Sequence, residues 1–318
     1  MLSLDQIQFF EDNGYLVADG LLDQQGCIRP VVEEYEALLD RLCRDWHRSG
    51  ALCALDSASS FQDKIVASYE AGCDYFQPMD ISLPTGPFDE DTPMHCGPAI
   101  FNLMTSPDML DAVEALIGPE ITSNPIQHVR IKPPQKLLNN DEIRAHITST
   151  DWHQDRAVAR PEADRTQMVT AWCAITEADE ENGCLRVVAG SHRKEMQVHC
   201  PSPQVGIPAR LIDQDRVVSL PVQSGGVIFF HPLTIHGSLP NRSKRLRWSF
   251  DLRFNRTGEP TGRPQFPDFV ARSRIAPGQT LRDPAQWAAM WRDAHARLAG
   301  ASKPEMYHRW TGDHPYCA

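Results

Sequence analysis

From residue 125 to residue 255 the chain is a succession of short segments rich in β-branched and aromatic residues, separated by glycine, proline and asparagine. They are PIQHVRIK (125–132), MVTAWCAI (168–175), CLRVVAG (184–190), RVVSLPV (216–222), GVIFFHP (226–232) and LRWSFDLRFN (246–255). Strands this short, with no helical pattern between them, cannot build a doubly wound α/β sheet. They predict a mainly β core, a sandwich or barrel of antiparallel strands. The links EENG and QSGG carry the residues that tight turns between such strands require.

Helices flank this core. Ser3 is placed to cap a helix bearing Leu4, Ile7, Phe9 and Phe10 that ends near Asn13-Gly14. In IRPVVEEYEALLDRLCRDWHRSG, Val32, Tyr35, Leu39, Leu42 and Trp46 recur at helical spacing and Gly50 closes the run. SPDMLDAVEALIGPE has Ser106 as cap, Pro107 in the first turn and Gly118 as stop; near the C-terminus Asp283, Pro284 and Gly300 bracket another helix. Residues 74–99 are rich in proline, glycine and acid and read as loop. Neither an internal repeat nor a flexible linker divides the chain. A single domain over 1–318 is expected: a helical part (about 1–120), a β core (about 121–256), and a C-terminal lid or strap with a helix (about 257–318).

The 318 residues carry a formal charge of −11. That balance disfavours nonspecific nucleic-acid binding and offers no basic footprint for an anionic membrane. No apolar run approaches the roughly 18 residues of a membrane span, and the start lacks the basic and apolar stretches of a signal peptide. The expectation is a cytoplasmic protein, monomer or homodimer, acting on a small molecule. Nine cysteines, scattered, odd in number and without a C-x-x-C pair, read as reduced thiols.

The chemistry concentrates in two stretches. In DWHQDRAV, His153 and Asp155 stand two residues apart, so an extended backbone points both to one side. They offer an imidazole and a carboxylate to one divalent metal. GGVIFFHPLTIHGSLPNRSKRLRWS then offers His231 or His236 as a third ligand. Two histidines and one carboxylate leave open positions, the set that suits non-haem Fe(II) and oxygen. Arg247 follows, with Ser249 on the same strand face. An arginine fork and a hydroxyl suit the far carboxylate of a dicarboxylate such as 2-oxoglutarate, whose keto-acid end would chelate the metal.

WHQD, VTAWCAI, ENGCLRVVAGSHR, GGVIFFHPLTIHGSLPNRS and RWSFDLRF, in this order and spacing, resemble the phytanoyl-CoA dioxygenase family, and the likeness runs over roughly residues 5–255. The resemblance implies an Fe(II)- and 2-oxoglutarate-dependent oxygenase on a double-stranded β-helix of jelly-roll or cupin-like form, consuming O2 and releasing succinate and carbon dioxide. It implies His153, Asp155 and His236 as iron ligands and Arg247 as the partner of the far carboxylate. Gln154, Trp172 and Ser238 match positions lining the co-substrate pocket. His128, with Gln127 beside it, falls near another. A lysine that some members use upstream has no counterpart in HCGPAIF.

Plainer roles stand beside these. His231 would satisfy a local backbone group, and strict alternation turns Gln154 away from its neighbours. Ser191 would shape a turn, and His146 and Asp151 lie on a loop. Because Asp155 is present, hydroxylation or a related oxidation is expected; halogenating relatives lack that carboxylate. The expected substrate is a free small molecule of secondary metabolism, with Phe61, Tyr69, Tyr75 and Phe76 as candidate walls. The basic residues Lys64, Lys136 and Arg144 are few near the mouth, and Arg256, Arg263, Arg272 and Arg274 lie in the strap. The alternatives are an acyl-CoA hydroxylase of the same family, a cupin-like enzyme using no 2-oxoglutarate, and an inactive binding protein.

Overall fold

The computed structural model of the chain describes residues 1–56, 58–135, 147, 149–201, 205–300 and 309–317. Two antiparallel sheets form the core. The larger runs in the order β1 (Tyr15–Ala18), β6 (Val227–Phe230), β3 (Met168–Ala174), β8 (Arg247–Arg256), β2 (Ile121–Lys132) and β9 (Phe269–Arg272). The smaller is β5 (Val217–Leu220), β4 (Leu185–Val188) and β7 (His236–Ser238). Trp172, Ile228 and Phe230 of the large sheet pack against Leu185, Val187 and Leu220 of the small one.

The two faces of the large sheet differ in chemistry. Val129, Ile131, Val169, Ala171, Phe229, Trp248, Phe250, Leu252 and Phe254 alternate onto the outer face and join one apolar core with the helices. On β8 the residues between them, Arg247, Ser249, Asp251 and Arg253, therefore face the space between the sheets. Opposite them on β2 stand Lys132, Arg130 and His128, in register with Arg247, Ser249 and Asp251. The β2–β8 register shifts between Asn124 and His128, where Pro125 has no amide to give the ladder.

The flanking helices follow their sequence signals. Helix α1 (Leu4–Asn13) has a capping box at Ser3 and Gln6, and Gly14 closes it at φ +78°. Helix α2 (Arg29–Arg48) buries Val31, Tyr35, Leu38, Leu39 and Cys43. Phe61–Glu70 (α3), Phe76–Met79 (α4), Pro98–Met104 (α5) and Pro107–Ile117 (α6, capped by Ser106) precede β2, and α7 (Pro284–Leu298, capped by Asp283) follows β9. The segment 74–99, expected as loop throughout, holds α4 and the start of α5. The sequence reading also lacked α3, β1, β7 and β9. Strand β1 pairs with β6 at the edge of the large sheet.

Residues 256–268 lie as a strap: Arg160 N–H bonds Gly262 O at 3.1 Å, and Phe266 packs on Trp291. No described helix is long and apolar enough to cross a membrane.

One expectation is corrected. Cys200 and Cys317 form a disulfide with Cα atoms 5.4 Å apart, so the thiols are not all reduced. The partners are 117 residues apart in sequence. No local spacing could announce the pair; only the fold brings the C-terminal turn against Cys200. The other seven cysteines are free. Denatured without reductant, the protein should therefore show seven reactive thiols, rising to nine on reduction. Nine thiols before reduction would remove the crosslink.

Candidate functional site

His153 and His236 sit directly opposite each other in an isolated antiparallel bridge. His153 N–H bonds His236 O, and His236 N–H bonds His153 O, each at 2.9 Å. Residues so paired project to the same face, and the two rings lie with centroids 4.1 Å apart. Gly237 permits the approach. A Cβ there would stand 2.9 Å from Thr150 O, so any side chain would push the two segments apart.

Each imidazole is oriented by its own backbone. His153 Nδ1 lies 2.8 Å from Asp151 O, and His236 Nδ1 lies 3.0 Å from Thr234 O. A carbonyl only accepts, so both Nδ1 atoms carry the proton and both Nε2 lone pairs are free. Burial, then the neighbouring His236, pushes the His153 pKa down to about 3, which keeps its imidazole neutral near pH 7. Asp155 opens a single helical turn, Asp155–Val158. Its Oδ1 is 3.8 Å from Nε2 of each histidine. Burial alone would raise its pKa, but the Arg253 guanidinium and the two imidazoles hold the carboxyl well below its usual range. Thr170 Oγ1 donates to Oδ2 and Arg253 to Oδ1.

The donor set fits a transition metal. Such an ion lies about 2.0–2.2 Å from nitrogen and carboxylate ligands, so donors 3.8 Å apart are within its span. Among the described residues, His153, Asp155 and His236 are the group of three that could hold a metal ion.

A narrow pocket adjoins these ligands, lined also by Trp172, Leu185, Phe230, Ser238 and Arg247. Arg247 is 1% exposed. It donates to Ser249 Oγ at 2.7 Å and lies over the Trp172 ring at 5.2 Å. No described carboxylate is within ion-pair distance of it. Burial pulls its pKa down to about 10, the sign of a cation short of a partner. Lys132 lies beside it, equally buried, donating to Ser238 Oγ and, at 3.3 Å, to Leu239 O. Burial, then the nearby Arg247 and Arg130, holds that ammonium well below the usual lysine range.

The residues singled out from sequence divide accordingly. His153, Asp155, His236, Arg247, Ser249, Trp172 and Ser238 converge. His128 does not border the narrow pocket: it lines a larger cavity and bonds Asp80 at 2.8 Å. Gln127 and Gln154 do not border the narrow pocket either. Gln127 sits where the β2 register shifts, one residue before the inward series, and donates to Ile81 O at 2.8 Å. Gln154 alternates away from its two neighbours; it donates to Leu233 O at 2.8 Å and accepts from Gln197 N at 2.7 Å. His231 lies outside the cluster and accepts from Leu233 N at 3.1 Å. Ser191 accepts from Ile235 N at 2.8 Å, fastening the residue before His236. His146, Lys136 and Arg144 fall outside the described residues.

Lys132, Arg253 and Thr170 were missed. The available signal was the period of two: 128, 130, 132 and 247, 249, 251, 253 each lie on one face. The larger cavity, about 550 Å³, opens on His153 and Asp155 and is lined further by Phe76, Leu83, Ile126, Arg263 and Trp310. Of the aromatic walls expected, Phe76 alone is there; Phe61 stacks on Trp248, and Tyr69 and Tyr75 are in the core.

Residues 10–249 match the profile of the phytanoyl-CoA dioxygenase family. The peroxisomal phytanoyl-CoA dioxygenase of Bos taurus is 27% identical over 261 residues, covering 80% of this chain and 68% of its own length. The 1-deoxypentalenic acid 11-beta-hydroxylase of Streptomyces exfoliatus is 24% identical, covering 77% and 78%. EvdO2 from Micromonospora carbonacea var. aurantiaca, in its complex with 2-oxoglutarate, has the same fold: TM-score 0.53 at 20% identity over 83% of this chain and 96% of that one.

Thr170 bonds the free side of the Asp155 carboxylate, and loss of such an outer partner commonly costs about 10–100-fold in metal affinity. Thr170→Val should weaken Mn(II) binding, measured by calorimetry, by roughly tenfold or more. Unchanged affinity would show that Thr170 does not orient the carboxylate.

Proposed function

The chain belongs to the phytanoyl-CoA dioxygenase family and is a 2-oxoglutarate-dependent non-haem iron dioxygenase; within that class we propose that it hydroxylates a free small organic molecule in secondary metabolism. The observation that carries the co-substrate assignment is Arg247: a buried guanidinium with no described carboxylate within ion-pair distance, at one side of a pocket whose other side is the His153–Asp155–His236 cluster. In this reading the core is a double-stranded β-helix and the whole chain one domain.

His153 Nε2, His236 Nε2 and an Asp155 oxygen hold the iron, which when bound supplies the oxidising chemistry that couples 2-oxoglutarate decarboxylation to substrate oxidation. Arg247 takes the far carboxylate of 2-oxoglutarate in its fork. Ser238 completes that seat, its hydroxyl fixed by Lys132 and by Thr150 N at 2.9 Å. Trp172, Leu185 and Phe230 keep water from it, which strengthens each charged contact. The substrate occupies the larger cavity on the other side of His153 and Asp155.

The choice of a free substrate over a CoA thioester rests on the arginines of the strap. Arg272 pairs with Asp111 and Glu114 and Arg274 with Glu114, while Arg256 bonds Ile117 O. These three are committed away from the cavity, and of the four arginines on its wall, Arg263 among them, three are held by protein acids, which leaves no free basic cluster among the described residues for a string of phosphates.

With Fe(II) and 2-oxoglutarate the purified protein should release succinate. His236→Ala should abolish that release while His231→Ala keeps a measurable part of it; the reverse ranking would reassign the ligand. Arg247→Ala leaves a buried carboxylate unpaired. It should weaken 2-oxoglutarate by about 2–5 kcal/mol, roughly thirtyfold or more, in a direct binding titration. An unchanged titration would give the arginine another task.

A further inference from the structure

We propose that the substrate of the larger cavity is an amphipathic carboxylic acid whose carboxylate pairs with Arg263. The inference rests on the oxygenase reading above and adds the chemical class of the substrate to it. Four arginines line this cavity, Arg130, Arg253, Arg263 and Arg309, in a chain of net charge −11. Three have an acid: Arg253 holds Asp155, Arg130 lies 2.7 Å from Asp251, and Arg309 lies 2.7 Å from Asp164. The acids on the wall are also engaged. Asp80 takes His128, and Asp74 accepts the amides of Phe76 and Gln77 at 3.0 and 3.4 Å.

Arg263 is the exception. Its side chain donates to Val158 O at 2.7 Å, and no described carboxylate is within ion-pair distance. Its surroundings are cationic: burial, then Arg253 and Arg160, draws its pKa down to about 10. A guanidinium has five N–H donors, so most of the fork remains for a ligand. Its backbone is fixed. Gly262, at φ +77°, packs where a Cβ would meet Ala159 Cβ at 2.7 Å, and Arg263 N bonds Thr261 Oγ1 at 3.2 Å. A half-buried cation on a fixed backbone, short of an anion and facing a cavity that ends on the metal ligands, is a preformed carboxylate seat. Phe76, Leu83, Ile126, Val158 and Trp310 supply apolar wall for the rest of the molecule, and about 550 Å³ suits one small ligand.

The test uses the full-length protein loaded with Mn(II) and 2-oxoglutarate. A library of lipophilic carboxylic acids (linear, terpenoid and aromatic) and the same compounds as methyl esters are compared by thermal shift, then by calorimetry on the hits. Stabilising hits should come from the acids. Arg263→Met should weaken them roughly tenfold or more, and Arg263→Lys should recover part of the loss. Unliganded melting curves report whether each variant folds. The proposal is overturned if esters bind as well as acids, if no acid stabilises, or if Arg263→Met binds the hits unchanged. It is also overturned if decanoyl-CoA binds in an Arg263-dependent way while decanoic acid does not, which would make the anion a phosphate. The wild-type shift on adding 2-oxoglutarate alone reads the underlying assignment separately: its absence would sink the oxygenase reading, whereas its presence without acid binding would sink only this one.

Discussion

The reciprocal hydrogen bonds between His153 and His236 set the geometry on which the site depends. Two histidines 83 positions apart in sequence become neighbours because each backbone closes the other's donor and acceptor, and a hydrogen-bonded antiparallel pair puts both side chains on one face. Gly237 lets the segment ending in His153 lie against β7 at this distance. Asp155, two residues on, then reaches both Nε2 atoms without further adjustment. The short bridge is supported from behind: Ser191 holds Ile235, and the carbonyls of Asp151 and Thr234 hold the rings.

The same economy governs the large sheet. Its strands β2 and β8 carry two alternating series, one apolar and one polar, and the fold assigns them to opposite faces. The apolar series on β2, β3, β6 and β8 packs against the helices in one core. The polar series is thereby forced inward, between the sheets, where water is excluded. In that setting each buried charge requires a partner. Arg130 and Asp251 find one another, as do Arg253 and Asp155. The outer core thus fixes where the inner charges stand, which is why a strand such as β8 serves stability and chemistry at once.

Much of this was legible in the sequence. The six short segments became strands, and the caps at Ser3, Ser106 and Asp283 marked helix starts. The H-x-D spacing, with Arg247 and Ser249 two apart, placed the polar groups on common faces. What escaped has physical reasons. Strand β1 follows α1 within two residues and is only four residues long, too short to show a period. The Cys200–Cys317 link joins distant segments and leaves no local trace. Gln154 entered by resemblance, although alternation pointed it away from its two neighbours, and Gln127 entered only as the neighbour of His128. Lys132, Arg130 and Arg253 obey the same alternation that identified Arg247, but a charged residue in an amphipathic strand is usually solvated. Only the second sheet, covering that face, makes them buried.

Charge pairing across the interior separates scaffold from site. A buried cation that meets a protein carboxylate is spent on structure. One that does not represents a standing desolvation cost, which an anionic ligand offsets. Of the arginines lining the two spaces that meet at His153 and Asp155, Arg247 and Arg263 have no described carboxylate within ion-pair distance, one in each space. An acidic chain that keeps two such cations beside its cavities repels anions from its general surface and, in the reading proposed above, receives them at two defined points. The metal ligands stand between those points. An oxygenase that must bring a dicarboxylate and a second molecule to one ion needs this arrangement: two separate seats on a fixed frame, with the reactive position shared between them.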